Sequence, residues 1–130
     1  MFRVRSTVWW LTLINKILII DNEIIFCKAL QYHLTERGYD IVICTSYREF
    51  QDQINLCQFD LIILDLNLRG ISGFDLFKRI RAINPDVKVI VTSAYFDHGN
   101  IAKANELGAY ECASKSTQLF HVLDQIIETM

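Results

Sequence analysis

The chain has 130 residues, of which 52% are hydrophobic, so it fits one domain of ordinary size with a full core. Its formal net charge is −2, with 13 Lys and Arg against 15 Asp and Glu, which excludes the basic footprint of a nucleic-acid binder. Cys27, Cys44, Cys57 and Cys112 show no CxxC spacing and complete no zinc pattern with the three histidines, so they read as small core residues of a cytosolic protein.

Residues 1–15 form an atypical hydrophobic extension. Arg3 and Arg5 precede the run Val8-Trp9-Trp10-Leu11-Thr12-Leu13-Ile14, which resembles a weak signal peptide but lacks an A-x-A-like cleavage site. The run is also too short to span a bilayer. An extra strand, a partner-binding segment or a misplaced start codon is preferred to a targeting signal.

From residue 16 onward strands and helices alternate. Lys16–Ile20 is a strand ending at Asp21, and Asn22–Arg37 is a helix with Phe26, Leu30 and Leu34 at helical spacing and Gly38 as its C-cap. Ile41–Cys44 is the second strand. Ser46 and Glu49 have the spacing of a capping box for a helix reaching about Leu56. Leu61–Leu64 is the third strand, ending at Asp65, and Gly70 and Gly73 bracket the loop that follows. A helix then carries Leu76, Phe77, Ile80 and Ile83 on one side and stops at Asn84-Pro85. The group Lys78-Arg79-Arg81 on it reads as a solvated face. Val87–Thr92, a short helix Ile101–Leu107, a strand Tyr110–Ala113 and a helix Ser116–Glu128 complete residues 16–130. In the last helix Leu119, Val122, Leu123, Ile126 and Ile127 are expected to face inward.

Five strands alternating with five helices predict an α/β fold with a parallel sheet covered on both faces. Right-handed crossovers favour a doubly wound sheet of order 2-1-3-4-5. That order makes the first and third strands neighbours, so Asp21 and Asp65 meet at the topological switch point, where such sheets bind ligands. The fourth strand brings a hydroxyl to the same edge through Thr92-Ser93-Ala94, and the fifth brings an ammonium through Ser114-Lys115. Two carboxyls, a hydroxyl and a lysine at one edge suit phosphoryl chemistry. A cation held by carboxylates offsets phosphoryl charge, and one carboxylate can serve as nucleophile, giving an acyl phosphate.

The segments KILIIDNE at 16–23, FDLIILDLNLRGISGFDL at 59–76, VIVTSAY at 89–95 and GAYECASK at 108–115 resemble, in order and spacing, the receiver domain of two-component response regulators. The resemblance covers residues 16–130 and implies a flavodoxin/CheY-like sheet. It implies that Asp65 is the phospho-acceptor, charged by a histidine kinase or phosphotransfer protein. Asp21 would be the first member of the acidic pair that holds Mg²⁺, Asn22 would stand at the second, and the backbone carbonyl of Asn67 would be a further ligand. Ser93 would be the switch hydroxyl, and Lys115 would pair with Asp65 or its phosphoryl oxygens. The domain would assist only its own phosphorylation and dephosphorylation, so no separate enzyme activity is expected.

The departures carry expectations of their own. An amide at Asn22 lacks formal charge, so Mg²⁺ is expected to bind weakly. Arg69 and Ser116 replace prolines usual in the family, and Cys112 stands where it usually has Tyr or Phe, which puts the usual aromatic readout in doubt. Tyr95, two residues past Ser93, is at a position that tunes dephosphorylation, although a plain packing role is the simpler reading for it, as for Trp9 and Trp10. The expected partners are a kinase or phosphotransfer protein, an output protein or domain, and a second copy through the face made by the fourth strand, its helix and the fifth strand. Direct nucleic-acid and membrane contacts are not expected, and the setting is cytoplasmic. No DNA-binding module follows residue 130, so output is expected through a separate protein, unless the chain is one piece of a longer one. The alternative function is a degenerate receiver acting as a phosphorylation-independent interaction module, favoured by Asn22 and Cys112. A flavin binder is disfavoured, because Asp21-Asn22-Glu23 is acidic, lacks glycine and would repel a phosphate.

Overall fold

The computed structural model describes residues 14–52 and 56–130. The expectations about Trp9, Trp10 and the rest of residues 1–13 lie outside the described residues. The elements run β1 (Lys16–Ile20), α1 (Ile24–Glu36), β2 (Asp40–Cys44), α2 (Tyr47–Asp52), a 3₁₀ turn (Leu56–Gln58), β3 (Leu61–Asp65), α3 (Gly73–Ile83), β4 (Lys88–Ser93), α4 (His98–Glu106), β5 (Glu111–Ser114) and α5 (Leu119–Glu128). The strands form one sheet in the order β2-β1-β3-β4-β5, and every neighbouring pair is parallel.

The sheet is buried on both faces, which is why its central strands are continuous apolar runs. On one face Leu18, Ile20, Ile62, Leu64, Val89 and Val91 meet side chains from α2, α3 and α4, with Phe50, Leu76, Phe77, Ile80 and Ala104 inside. On the other, Ile17, Ile19, Leu61, Ile63 and Ile90 meet α1 and α5 through Cys27, Leu30, Leu34, Leu119, Leu123 and Ile127. Each fully buried aliphatic or aromatic side chain of this kind is worth about 1.5–3 kcal/mol. Ile14 joins the second cluster, and the Asn15 amide donates to Asp60 Oδ2 at 2.9 Å, so contacts of the fold reach two residues before β1.

Helix ends follow their local chemistry. Ser46 Oγ accepts from the Glu49 amide at 3.1 Å, but the Glu49 carboxylate reaches back to Thr45, at 2.6 Å from its amide, rather than to Ser46. Ser72 Oγ caps α3 by accepting from Phe74, and Asp97 caps α4 by accepting from Asn100 at 2.7 Å. The Asp97 cap starts α4 three residues before Ile101, where the first apolar residue placed it. Helix α2 stops at Asp52 instead of about Leu56, and Leu56 is buried from the 3₁₀ turn. Helix α5 begins at Leu119, because Ser116 is spent on a turn in which its Oγ accepts from Gln118.

Three side chains outside the site depart from expectation. Ile83 is 54% exposed, since it falls at the last residue of α3 where the helix leaves the sheet. Cys57 is exposed on the 3₁₀ turn and is not core, whereas Cys27 and Cys44 are buried, with burial pushing each thiol up to about 12. Arg81 is no solvated lysine-like charge: it donates to the carbonyls of Val87, Leu107 and Gly108 at 2.7–2.8 Å, tying α3 to the turn between α4 and β5.

Gly73 sets how closely α3 approaches the loop after β3. A Cβ on it would lie 2.4 Å from Leu66 Cα and 2.7 Å from Leu66 O. Backbone cannot yield as a side-chain tip can, so Gly73→Ala is expected to lower the urea midpoint by an amount equivalent to about 1–3 kcal/mol. A midpoint equal to wild type would show that the helix can back away at no cost.

Candidate functional site

The register of the sheet assembles the site. Ile20 pairs with Leu64, so the next residues, Asp21 and Asp65, emerge side by side at the C-terminal edge. Both are buried, at 1% and 2% exposure. Ser93 ends β4, and Lys115 follows β5, where its amide donates to the Ser93 carbonyl at 2.8 Å.

Lys115 is the centre of the cluster. Its Nζ lies 2.6 Å from Asp21 Oδ2, 3.0 Å from Glu23 Oε1 and 3.4 Å from Asp65 Oδ2. It also sits over the Phe26 ring, 4.6 Å from the centroid. Burial pulls the ammonium's pKa down, but the contacts to Asp21 and Glu23 outweigh it and the net shift is upward, so the proton stays on Lys115. Burial pushes Asp21 above the usual carboxylate range, and the Lys115 contact and the Glu23 amide offset only part of that.

The Asp65 loop is held by backbone. The Asn67 amide donates to Asp65 Oδ1 at 3.0 Å, and the Asn67 side-chain amide donates to Ser93 Oγ at 3.3 Å. The Ser93 hydroxyl donates to the Tyr95 carbonyl at 2.8 Å and accepts from the Tyr95 amide at 3.2 Å. It is therefore turned toward its own loop. The Tyr95 ring is 72% exposed, so it is not a packing residue. Cys112 is half-buried against the α2–α4 face, and burial raises its thiol, which fits a filler more than a reactive group.

The described residues contain a group of three carboxylates, Asp21, Glu23 and Asp65, whose nearest oxygens all lie within 4.8 Å of one another. Asp21 Oδ2 is buried and faces the Lys115 ammonium, so a single positive charge stands against the three carboxylates. Hard oxygen donors carrying excess negative charge fit a cation of the Mg²⁺ class. Asn22 is half-buried beside them. Glu23 is not among the ligands expected from sequence, although an acid two residues after Asp21, at the start of the first helix, is a readable signal.

A doubly wound parallel sheet with acids at its switch point and a lysine across from them defines the class of fold. The chain belongs to the response regulator receiver domain family, which residues 17–127 match. It is similar to the transcriptional regulatory protein ZraR of Escherichia coli K12, 30% identical over 95 residues, covering 73% of this chain and 22% of that protein. The chain thus spans about a fifth of that relative's length. It is also similar to sporulation initiation phosphotransferase F of Bacillus subtilis, 26% identical over 112 residues, covering 86% of this chain and 90% of that protein. Among solved structures, a Burkholderia pseudomallei response regulator with a phosphorylated aspartic acid, calcium ion and citrate shares the fold, with a TM-score of 0.77 and 24% identity over 86% of this chain and 66% of that one.

The raised Asp21 pKa has a signed consequence. Its unfolded value is the lower one, so the folded state loses stability as pH rises from the ordinary aspartate range through the folded value. Asp21→Asn is expected to raise the melting temperature at neutral pH in divalent-free buffer, with the gain vanishing toward pH ~3. A lower melting temperature at neutral pH would mean that the Lys115 contact outweighs burial.

Proposed function

We propose that this receiver is a phosphorylation switch with Asp65 as the acceptor. The observation that carries the reading is a buried Asp65 carboxylate at the switch point, within 3.4 Å of a lysine ammonium and beside a second buried acid. An Asp65 oxygen attacks the phosphorus of a phosphohistidine on a kinase or phosphotransfer protein. The bond from phosphorus to the histidine nitrogen breaks, the imidazole leaves with its electron pair, and Asp65 becomes an acyl phosphate. Lys115 stays protonated and offsets charge on a phosphoryl oxygen. Asp21, Asp65 and the Asn67 carbonyl would hold Mg²⁺, with the uncharged Asn22 amide as a weak contributor, and the ion would neutralise phosphoryl charge when bound. The Bacillus relative is a phosphotransferase and the Burkholderia protein carries a phosphorylated aspartic acid and calcium, which supports this chemistry.

Ser93 is the mover. To contact the phosphoryl group its hydroxyl exchanges the Tyr95 carbonyl for a phosphoryl oxygen, and the β4–α4–β5 face shifts between two populations. An output protein or a second copy reads that face, where Ile101 and Tyr110 are 38% and 42% exposed. The domain does no chemistry on other substrates. No helix among the described residues is long and apolar enough to cross a membrane, and a cytoplasmic site is where a kinase would reach it.

Asn22 favours a second reading, a receiver fold used as an interaction module without phosphorylation. Incubation with Mg²⁺ and acetyl phosphate, followed by intact mass, separates the two. The switch predicts one phosphoryl adduct on wild type and none on Asp65→Asn. An unmodified wild type at saturating Mg²⁺ leaves the module. Once the adduct forms, Tyr95→Ala is expected to shorten its lifetime if the ring screens water from the acyl phosphate, and an equal lifetime removes that role.

A further inference from the structure

We infer that Glu23 supplies the charged cation ligand that Asn22 cannot, so that the acidic pair of this chain is Asp21 with Glu23. The inference deepens the proposed function and rests on its metal-assisted reading. Glu23 is fixed at the mouth of the site from behind, since its amide donates to Asp21 Oδ1 at 2.9 Å. The other oxygen, Oδ2, is buried and meets the Lys115 ammonium at 2.6 Å. One oxygen from each of Asp21, Glu23 and Asp65 lies within 4.8 Å of the other two, a spacing that a cation bound by all three would accommodate. A lone solvated ion pair with Lys115 would explain the 3.0 Å contact, and the Glu23 side chain is 63% exposed. It would not explain why three carboxylates, two of them buried, converge on a single ammonium.

Charge count sharpens the point. An Asn22 amide adds an oxygen but no charge, and cation affinity at oxygen sites is tuned by ligand charge. Glu23 restores the missing negative charge one residue later, from a longer side chain that reaches back over the site. Lys115 holds the same three acids and therefore competes with the cation for them.

Titration of the folded, purified chain with Mg²⁺ by calorimetry, and with Mn²⁺ by electron paramagnetic resonance, tests this. Glu23→Gln is expected to weaken binding roughly tenfold, because affinity follows ligand charge. The decisive arm is the same substitution in a Lys115→Met background. A ligand role keeps the loss there, whereas a role confined to holding Lys115 predicts none, which would overturn the inference. Asn22→Asp is expected to tighten binding and to make Glu23→Gln nearly silent; full retention of the Glu23 effect beside a carboxylate introduced at position 22 would also count against it. If wild type binds Mg²⁺ through Glu23 yet gains no phosphoryl adduct, the switch reading fails and this assignment stands. If the adduct forms while Glu23→Gln leaves Mg²⁺ binding unchanged, the assignment fails and the switch stands.

Discussion

The Lys115 ammonium is the contact on which the rest of the site depends. Two carboxylates buried at 1% and 2% exposure on adjacent strands repel each other and have lost their water. One cation placed 2.6 Å and 3.4 Å from them makes that burial tolerable. The arrangement is still one positive charge against three acids once Glu23 is counted. A site in this condition is poised to gain from any further positive charge, and on the proposed reading a phosphoryl group on Asp65 would need that charge as well. Buried ionisable groups gathered in this way are the arrangement found at functional sites.

The fold delivers Lys115 to that place by a chain of register constraints. Ile90 pairs with Glu111 and Ser93 with Ser114, so the residue after β5 must emerge level with the end of β4. The Lys115 amide on the Ser93 carbonyl fixes the last step. Arg81 secures the other end of the same strand pair through the Val87, Leu107 and Gly108 carbonyls, where α3, the start of β4 and the turn before β5 come together. Gly73 lets α3 lie directly on the Asp65 loop. Rigid elements thus hold the acids, while the hydroxyl and its loop are secured by exchangeable side-chain bonds.

The sheet was legible in the sequence because its central strands are buried on both faces and read as unbroken apolar runs such as Leu61-Ile62-Ile63-Leu64. The carboxylates at their ends were legible for the same reason: an acid directly after such a run has nowhere to go but the sheet edge. Helix starts were harder. The α4 cap, Asp97, is followed by His98, Gly99 and Asn100, so no apolar periodicity announces the helix until Ile101. Arg81 was not legible, because a basic residue on an amphipathic helix gives no sign of the carbonyls it will meet from distant turns. Glu23 was readable in the sequence only as an acid two residues after Asp21; that its carboxylate meets Lys115 shows in the structure alone.

The lack of an aromatic ring at Cys112 changes, on the proposed reading, where a signal would leave the site. On the proposed reading the phosphoryl group draws Ser93 Oγ toward Asp65. In the present arrangement that oxygen holds both the carbonyl and the amide of Tyr95, and it also takes the Asn67 side chain. Moving it frees three bonds at once, two of them to the backbone of the loop that leads into α4. The ring on that loop is already 72% exposed, so its displacement costs little packing and presents a large amphipathic group to a partner. Cys112, half-buried and small, has no comparable surface to offer. On that reading the route of least resistance from Asp65 to the outside would run through Ser93 and the Tyr95 loop, which leads into α4 at its Asp97 cap.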